Sequence, residues 1–340
     1  MGPGKRSKRT TIRDVAARAG VSVGAASTAL SNRPSNVVLS AETRERIRRA
    51  ALELNYRPLS AARAMAGARF GRLGVLATED CLRDSVHSGI LHGVASELGR
   101  QGYRLLLQVV PERRDMAHSG IFTEQDIDGV IILVDGDERT RAALQRYEIP
   151  HIWVNTELQE PHNCVHADDV GGTVLAVDHL ARLGHRRIAF VRHVRGERGH
   201  LTMQRERGYL AGLERHGLEV VPTHRRYIEV SDHIDLYLRM KSPPTALLVS
   251  SDALALQVCA VLARRGVRVP EDVSVVGHDG VGLHLCGVPH LTTVVIPVEE
   301  MGRTAVWMLL DQLERGQPAA SVLLAESLEV NASTAPPPVP

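Results

Sequence analysis

Cysteine and long apolar runs are both scarce in this sequence. The four cysteines, Cys81, Cys164, Cys259 and Cys286, are scattered along 340 residues and form no CxxC pair. This usage argues against a disulfide framework and is typical of reduced thiols in a cytoplasmic protein. The basic start MGPGKRSKRT is followed by no apolar run, and no stretch is long enough to span a bilayer. We therefore expect a cytoplasmic protein without a signal peptide and without a membrane partner.

The motifs of common enzyme classes are also missing. There is no P-loop, no GxGxxG and no GxSxG elbow, and no motif fixes two acidic residues at a reaction centre. We therefore expect no enzymatic activity and no cofactor. Aromatic residues are few, with 3 Phe, 6 Tyr and 2 Trp. A ligand site in this chain would offer little aromatic surface on which a sugar or purine ring could stack.

Charge is distributed unevenly along the chain. Residues 1–72 contain 15 Lys and Arg against 4 Asp and Glu, a net charge of +11, whereas the whole chain carries only +2. The remainder therefore carries −9. A basic head on an acidic body indicates a nucleic-acid-binding module joined to a part that does not bind nucleic acid. The length suggests two or three domains, each large enough to bury a core.

The stretch from Thr11 to Leu30, TIRDVAARAGVSVGAASTAL, predicts two short helices separated by a turn at Gly20. Thr11 is placed to cap the first helix, with Asp14 at its third position, and Ser22 to cap the second. One apolar face recurs at helical spacing: Ile12, Val15, Ala16 and Ala19. The pattern is typical of a helix-turn-helix, whose second helix enters the DNA major groove. The periodicity alone leaves a plain helical hairpin as an alternative.

Two further patterns follow this stretch. Ser40 is predicted to cap a third helix that runs to about Leu54, with several arginines on its outer face. From Arg72 onward, short apolar runs such as LGVLA, GVIILV and TALLVS alternate with helical patterns. Near-continuous apolar strands joined by helices predict parallel sheets that are buried on both faces and bind ligands at their carboxyl ends. The number of strands predicts two α/β subdomains with a cleft.

Taken together, several stretches resemble the LacI/GalR (lactose repressor) family of transcriptional regulators. The matching stretches include TIRDVAARAGVS, ALELNYRP, GYRLLL, DGVIIL, LARLGHRRIAF, VRVPEDVSVVGHD and EEMGRTA, which follow the family's order over essentially the whole chain. The resemblance implies an all-α helix-turn-helix head, a hinge helix, and a periplasmic-binding-protein-like α/β body of two parallel-sheet subdomains. It also implies that the chain crosses between the subdomains three times, near residues 164, 294 and 322.

These expectations divide the chain into six parts. They are a disordered basic arm (1–9), a helix-turn-helix DNA-binding domain (10–57), a hinge helix (58–70), an N-terminal effector subdomain (71–164 and 295–322), a C-terminal effector subdomain (165–294 and 323–333) and a disordered tail (334–340). The polar, proline-rich end NASTAPPPVP favours disorder from about Asn331. It contains no leucine heptads that would join dimers into a tetramer, so we expect a homodimer.

The resemblance implies base-reading positions at the start of the second helix. Val23 and Gly24 are small and apolar there, and Thr28 stands where an arginine is common, so direct reading of bases is expected to be limited. Met65 occupies the position of an apolar lever that enters the minor groove, although a flexible Ala-rich linker is the alternative for this segment. Arg33→Ala is expected to weaken binding to all DNA sequences alike. The predicted DNA contacts are Thr11, Ser22, Val23, Gly24, Ser27, Thr28, Asn32, Arg33 and Met65.

The resemblance also implies an effector pocket. RERGYLAGL places a ligand-contacting arginine at Arg205, and GHDG places a pocket aspartate at Asp279. An arginine fork and a carboxylate that face each other across a cleft can hold a small polar ligand, whereas an ordinary ion pair is the alternative. Val298 and Ile296 stand where a larger or more polar pocket residue is usual. The predicted effector contacts are Asp84, Ser85, His87, Asn155, Arg205, Ser251 and Asp279.

Two groups of residues resemble metal ligands without completing a site. His162, Cys164 and His166 alternate, so they would share one face of a strand, and zinc accepts such ligands. No fourth ligand is evident, and we interpret them as ordinary strand residues. A looser second group consists of His278, His284, Cys286 and His290. We expect no metal.

The sequence therefore predicts a ligand-responsive, sequence-specific DNA-binding transcriptional regulator, a repressor that binds a near-palindromic operator in double-stranded DNA as a homodimer. A small polar effector, a sugar or related metabolite, would bind between the subdomains. One alternative is a regulator controlled by a protein partner without a small ligand. Another is an α/β sugar-binding body with a head that anchors it to DNA.

Overall fold

The computed structural model describes residues 10–30, 39–54, 56, 69–111, 116, 119–123, 126–192, 199–222, 229–280 and 290–338. The predicted DNA contacts Asn32, Arg33 and Met65 lie outside these ranges, as do the basic arm and nearly all of the expected hinge helix. The chain divides into two compact units. The head comprises the first 72 residues, and the body contains almost all of the rest.

The head consists of three helices whose ends follow from local signals. They are α1 (Ile12–Ala19), α2 (Val23–Leu30) and α3 (Ala41–Glu53). The Thr11 side chain accepts a hydrogen bond from the backbone N–H of Asp14, and the Asp14 carboxylate accepts one from the Thr11 N–H at 2.8 Å. Gly20 then ends α1 in the left-handed region at φ 64°. The predicted capping box and turn are confirmed.

The core of the head is built mostly from small side chains. Its buried members are Val15, Ala16, Ala19, Ala26, Ala29, Ile47, Ala50 and Ala51. Ile47 is the largest of them and is fully buried. Small side chains let the three helices approach closely, but they bury little apolar surface, so each contact contributes modestly to stability.

The first subdomain of the body is built on a six-stranded sheet with the order β10-β5-β4-β3-β1-β2. Its strands are β1 (Arg72–Thr78), β2 (Arg104–Val110), β3 (Gly129–Ile132), β4 (His151–Val154), β5 (Cys164–Ala167) and β10 (Val322–Leu324). Its helices are α4 (Glu79–Arg83), α5 (Ser85–Arg100), α6 (Gly120–Thr123), α7 (Glu138–Arg146) and α12 (Val298–Arg315). The pairs β1–β3, β3–β4, β4–β5 and β5–β10 are parallel. The predicted parallel architecture is confirmed.

The second subdomain has a five-stranded sheet with the order β11-β9-β8-β7-β6. Its strands are β6 (Ile188–Val191), β7 (Ala246–Val249), β8 (Ser274–Asp279), β9 (Thr292–Val295) and β11 (Ser327–Glu329). Its helices are α8 (Asp169–Arg182), α9 (His200–Arg215), α10 (Val230–Leu238) and α11 (Asp252–Arg264). The strands pair in parallel except at the edge, where β11 runs antiparallel to β9. Apolar clusters cover this sheet on two sides, as its continuous apolar strands require.

The chain passes between the two sheets three times. The passages lie between β5 and α8, between β9 and α12, and between β10 and β11. The positions expected from the sequence are near residues 164, 294 and 322. Because of these passages, the last helix of the first subdomain comes from a part of the chain far from its other elements.

That last helix packs closely on α5 at two glycines. A Cβ atom at Gly93 of α5 would overlap the backbone carbonyl of Glu299, and one at Gly302 of α12 would overlap that of Ile90. The two backbones therefore touch directly, and any side chain at either glycine would force them apart. Among the described helices, none is both long and apolar enough to cross a membrane.

The end of the chain differs from the expected disordered tail. Ser333 is fully buried, and its hydroxyl donates to the Val275 carbonyl at 2.6 Å and accepts from the Thr292 N–H at 2.8 Å. The Ala335 carbonyl lies 2.9 Å from Nε2 of buried His185. Ser333, Thr334 and Ala335 are thus held by hydrogen bonds to strand backbone and buried side chains, which the polar composition of this segment did not suggest.

Candidate functional site

In the head, α2 presents a free edge at its amino-terminal end. Ser22, Gly24 and Ser27 are exposed, Val23 is 44% exposed, and Thr28 is half-buried. The Ser22 hydroxyl accepts from the Ala25 N–H at 3.1 Å, which begins the helix. This edge is open because α2 packs on α1 and α3 through its opposite face, at Ala26 and Ala29.

Two other polar residues of the head have structural partners. The Thr11 hydroxyl donates to Asp14 at 2.8 Å, so this predicted DNA contact also takes part in the cap of α1. Arg46, on the outer face of α3, donates from Nε to the Ala19 carbonyl at 3.1 Å. This bond gives a partner to a carbonyl in the last turn of α1, which has none within the helix. Part of the positive charge of α3 therefore holds the helices together.

In the body, a buried arginine lies at the centre of a group of carboxylates. Arg205, on α9, is only 6% exposed. Its Nε donates to Asp169 Oδ1 at 2.7 Å, and its Nη1 donates to Asp279 Oδ1 at 2.9 Å and to the Ser250 carbonyl at 2.5 Å. Burial acts to lower the pKa of Arg205, but Asp279 and Asp169 outweigh it and raise that pKa above its usual value. The guanidinium stays charged because its partners are fixed around it.

The predicted pair Arg205 and Asp279 does not face across a cleft. Both residues belong to the second subdomain, and they bind each other directly. Asp279 ends β8 with φ 122°, a value that non-glycine residues rarely adopt. The next residue, Gly280, donates its N–H to Asp252 Oδ2 at 2.9 Å. Burial raises the pKa of Asp279, and the attraction of Arg205 opposes that rise.

A histidine and a glutamate complete this buried group. His278, on β8, places Nε2 3.1 Å from Glu326 Oε2 and 3.6 Å from Asp169 Oδ1. Burial, followed by the nearby Arg205 charge, lowers the pKa of His278 to about 3, so its imidazole is neutral. Burial raises the pKa of Glu326 to about 7. Glu326 lies on the passage between β10 and β11.

A cavity of about 440 Å³ borders this group and lies between the two subdomains. Its polar lining includes Asn155, Gln159, His166, Asp168, His200 and Gln204. Of the predicted effector contacts, only Asn155 is among the described residues that line the cavity. Arg205 binds Asp169, which also lines it. The side-chain amide nitrogens of Gln159 and Gln204 lie 2.8 Å and 2.9 Å from His200 Nε2, so polar groups of both subdomains meet at its wall.

The other predicted effector contacts lie at helix starts. Asp84 accepts from the N–H groups of Val86 and His87, at 2.8 Å and 3.1 Å, and caps α5. Ser85 is exposed, and His87 binds Asp84 through Nδ1 at 3.1 Å. Ser251 caps α11 by accepting from the Leu254 N–H at 3.3 Å. None of these residues lines the cavity described above.

The two suspected metal groups are not assembled in the described part of the chain. His162 is exposed, Cys164 is buried in the apolar core of the first sheet, and His166 lines the cavity. In the second group, His284 and Cys286 lie outside the described residues. The described residues instead bring Asp169, His278 and Glu326 together. Sequence reasoning missed Asp169, Glu326 and Gln204, because no local spacing connects them.

Comparisons with known proteins cover the head and the body separately. Residues 11–59 match the model of the lacI family of bacterial regulatory proteins. Residues 177–334 match the model of the periplasmic binding protein-like domain. The first match includes the helical head, and the second covers the later part of the α/β body.

Several relatives match over nearly the whole chain. The HTH-type transcriptional repressor CytR of Escherichia coli (strain K12) is 32% identical over 333 residues, which cover 91% of this chain and 92% of that protein. A crystal structure of the lac repressor dimer bound to operator and the anti-inducer ONPF has a TM-score of 0.78 at 29% identity, covering 96% of this chain and 100% of that one. A complex of the transcriptional regulator CelR with cellobiose has a TM-score of 0.65 at 27% identity, covering 96% and 100%. The chain therefore belongs to the lacI family of bacterial regulatory proteins.

Proposed function

We propose that this protein is a ligand-responsive transcriptional repressor that binds a near-palindromic DNA operator as a homodimer. The observation that carries the proposal is the exposed edge of α2, from Ser22 to Ser27, in a head of net charge +11. A positive module attracts the phosphate backbone, and an uncovered helix edge gives side chains access to the bases. The rest of the chain has a net charge of −9 and would be repelled by DNA, which leaves the head as the binding surface.

The chemistry of this edge limits how DNA is read. Val23 can contact a thymine methyl group, and the hydroxyls of Ser22 and Ser27 can exchange single hydrogen bonds with base edges or phosphates. None of these side chains forms the two-pronged contact with guanine that arginine forms. Sequence preference would then depend in large part on how easily the operator bends.

The effector proposed for the cavity is a small polar molecule rich in hydroxyl groups. Amides, imidazoles and carboxylates line the wall, and they accept and donate hydrogen bonds in the way that a sugar or related metabolite requires. The relative CelR was solved with cellobiose, which supports this class. Among the described residues that line the cavity there is no Phe, Tyr or Trp, so the described lining offers hydrogen-bonding groups and none of these rings for stacking.

The proposed control acts through the contacts that join the subdomains at the cavity wall. His200 lies at the start of α9, and its Nε2 is 2.8 Å from the Gln159 amide nitrogen of the first subdomain. The backbone N–H of His200 donates to Glu157 Oε1 at 3.2 Å. A ligand that binds Gln159 or His200 competes with these contacts and changes the angle between the subdomains. It shifts DNA affinity only by its different affinity for the two arrangements.

The DNA-binding part is tested first. Sequencing of genomic DNA bound by the full chain should give a near-palindromic operator, and titration of that operator should show a steep decrease in affinity with salt. Ser27→Glu should lower operator affinity at least tenfold, because it places a negative charge on the reading edge. Leu52→Glu adds the same charge to an exposed position of α3 and serves as the control. Equal losses in both variants would contradict reading by α2.

The effector part has its own experiment. Isothermal titration with a panel of sugars, nucleosides and amino acids should give heat with at least one member. Gln204→Ala should weaken that ligand at least tenfold, whereas Gln108→Ala, on edge strand β2, should not. Operator affinity without ligand should stay unchanged in Gln108→Ala. The absence of heat with every member would instead favour a protein partner, the second candidate.

A further inference from the structure

The buried group around Arg205 contains three side chains that can bind a metal ion. Asp169, His278 and Glu326 are each less than a tenth exposed and offer ligand atoms that all lie within 4.8 Å of one another. They come from three separate elements, the start of α8, strand β8 and the passage between β10 and β11. A backbone that is fixed by both sheets therefore holds them in place.

Three buried atoms on two of these side chains have no hydrogen-bond partner. His278 Nε2 and both carboxylate oxygens of Glu326 are buried without one, although Nε2 and Oε2 approach to 3.1 Å. Buried polar atoms in folded proteins nearly always have a hydrogen-bond partner, so these three call for one. A bound ion would satisfy the imidazole nitrogen and the carboxylate at once.

The group also contains more carboxylates than cationic side chains. Arg205 is bonded to both Asp169 and Asp279, and Glu326 lies beside His278 with no hydrogen bond to either of its carboxylate oxygens. A divalent cation between Glu326, His278 and Asp169 would compensate the carboxylates that share this one guanidinium.

Two of the three distances between the ligand atoms are close to those around a zinc ion, and all three are within 4.8 Å. Ligand atoms about 2.0–2.2 Å from a tetrahedral zinc ion lie about 3.3–3.6 Å from one another. Here His278 Nε2 lies 3.1 Å from Glu326 Oε2 and 3.6 Å from Asp169 Oδ1. Gly172 leaves room for the glutamate, since a Cβ atom at that position would overlap Glu326 Oε2. Asp169 Oδ1 has a second lone pair available beside its bond from Arg205.

We propose that Asp169, His278 and Glu326 bind a divalent transition-metal ion such as zinc. One imidazole and two carboxylates are a ligand set that first-row divalent metals accept. The ion would connect the passage between β10 and β11 to α8 and β8, and so would fix one of the connections between the subdomains. This site replaces the expectation of no metal, and it does not depend on the proposed effector.

Cobalt(II) is a suitable probe because its absorption spectrum reports its ligands. The full chain is freed of metal with a chelator and titrated with cobalt. The wild type should bind one more ion per chain than Glu326→Gln or His278→Gln, or bind it at least tenfold more tightly. Glu97→Gln is the control, since Glu97 is a hardly exposed carboxylate in the first subdomain that accepts from Trp307 at 2.8 Å. It should bind as the wild type does.

The wild type alone gives a second test, which does not depend on whether the variants fold. X-ray absorption of the cobalt-loaded chain should show an imidazole nitrogen and oxygen ligands, and cobalt should raise the thermal unfolding midpoint. Sulfur ligands, equal cobalt binding by wild type and both ligand variants, or no binding at micromolar cobalt would each overturn the proposal. In the last case, greater stability of Glu326→Gln than of the wild type would assign a proton to Glu326.

Discussion

Replacing Arg205 by methionine should test whether the buried carboxylates depend on this one guanidinium. The substitution keeps an unbranched side chain of similar length but removes the charge and its bonds to Asp169 and Asp279. Leaving buried charges without a partner costs about 3–5 kcal/mol. For a body of this size, such a loss lowers the unfolding midpoint by on the order of 10 °C.

The full chain is unfolded with urea and with heat in the presence of a chelator, and circular dichroism monitors the unfolding. Arg205→Lys should fall between wild type and Arg205→Met, because lysine keeps the charge but loses the planar fork. The matched control is Arg265→Met. Arg265 forms a two-pronged pair with Asp235 at 2.8 Å and 2.9 Å, but this pair is exposed to solvent.

The comparison separates burial from hydrogen-bond geometry. Because water solvates Asp235 once its partner is gone, Arg265→Met should leave the midpoint within experimental error. A loss below about 1 kcal/mol for Arg205→Met would refute the reasoning, since it would mean that the carboxylates are solvated or protonated without the arginine. Equal losses in Arg205→Met and Arg265→Met would refute the role of burial.

Three further changes test the other interactions. Ser333→Ala should cost about 1–3 kcal/mol in urea unfolding, because it leaves the buried Thr292 N–H without an acceptor; a smaller loss would contradict ordering of the chain end. Burial lowers the pKa of His185 below its ordinary 6.5, so stability present above pH 6.5 is lost as pH falls below it. His185→Gln should therefore flatten the pH dependence of the urea midpoint between pH 7 and 5, and an unchanged slope would exclude this role. Gly24→Ala meets only the Ser22 hydroxyl at 3.9 Å, so it should stabilise the head by up to about 1 kcal/mol while lowering operator affinity; unchanged affinity would remove Gly24 from the DNA-binding edge.

The sequence predicted those structural features that depend on residues close together in the chain. Thr11 and Asp14 cap α1 through bonds that span three residues, and the left-handed turn at Gly20 needs only the absence of a side chain. The apolar strands predicted parallel sheets because burial on both faces leaves no polar alternation. These features depend on neighbours in the chain, so a pattern of adjacent residues contains them.

The candidate site depends on topology instead. Arg205 and Asp279 were found through family resemblance, but Asp169, the other carboxylate that Arg205 binds, is 36 residues from Arg205 and has no recognisable spacing to it. Glu326 joins them only because the chain passes from β10 to β11 beside α8. The polar, proline-rich composition of the chain end favoured disorder, whereas Ser333 is buried there and held by hydrogen bonds.

The direct contact between Gly93 of α5 and Gly302 of α12 determines when the first subdomain can complete its folding during synthesis. During synthesis, the strands β6 to β9 of the second subdomain leave the ribosome in one continuous stretch and can fold together at once. The glycine face of α5 must wait until residues 298–315 have been translated, with its apolar surroundings uncovered in the meantime. Chains that terminate early would therefore contain a complete head on an unfinished first subdomain, which is prone to aggregation and degradation.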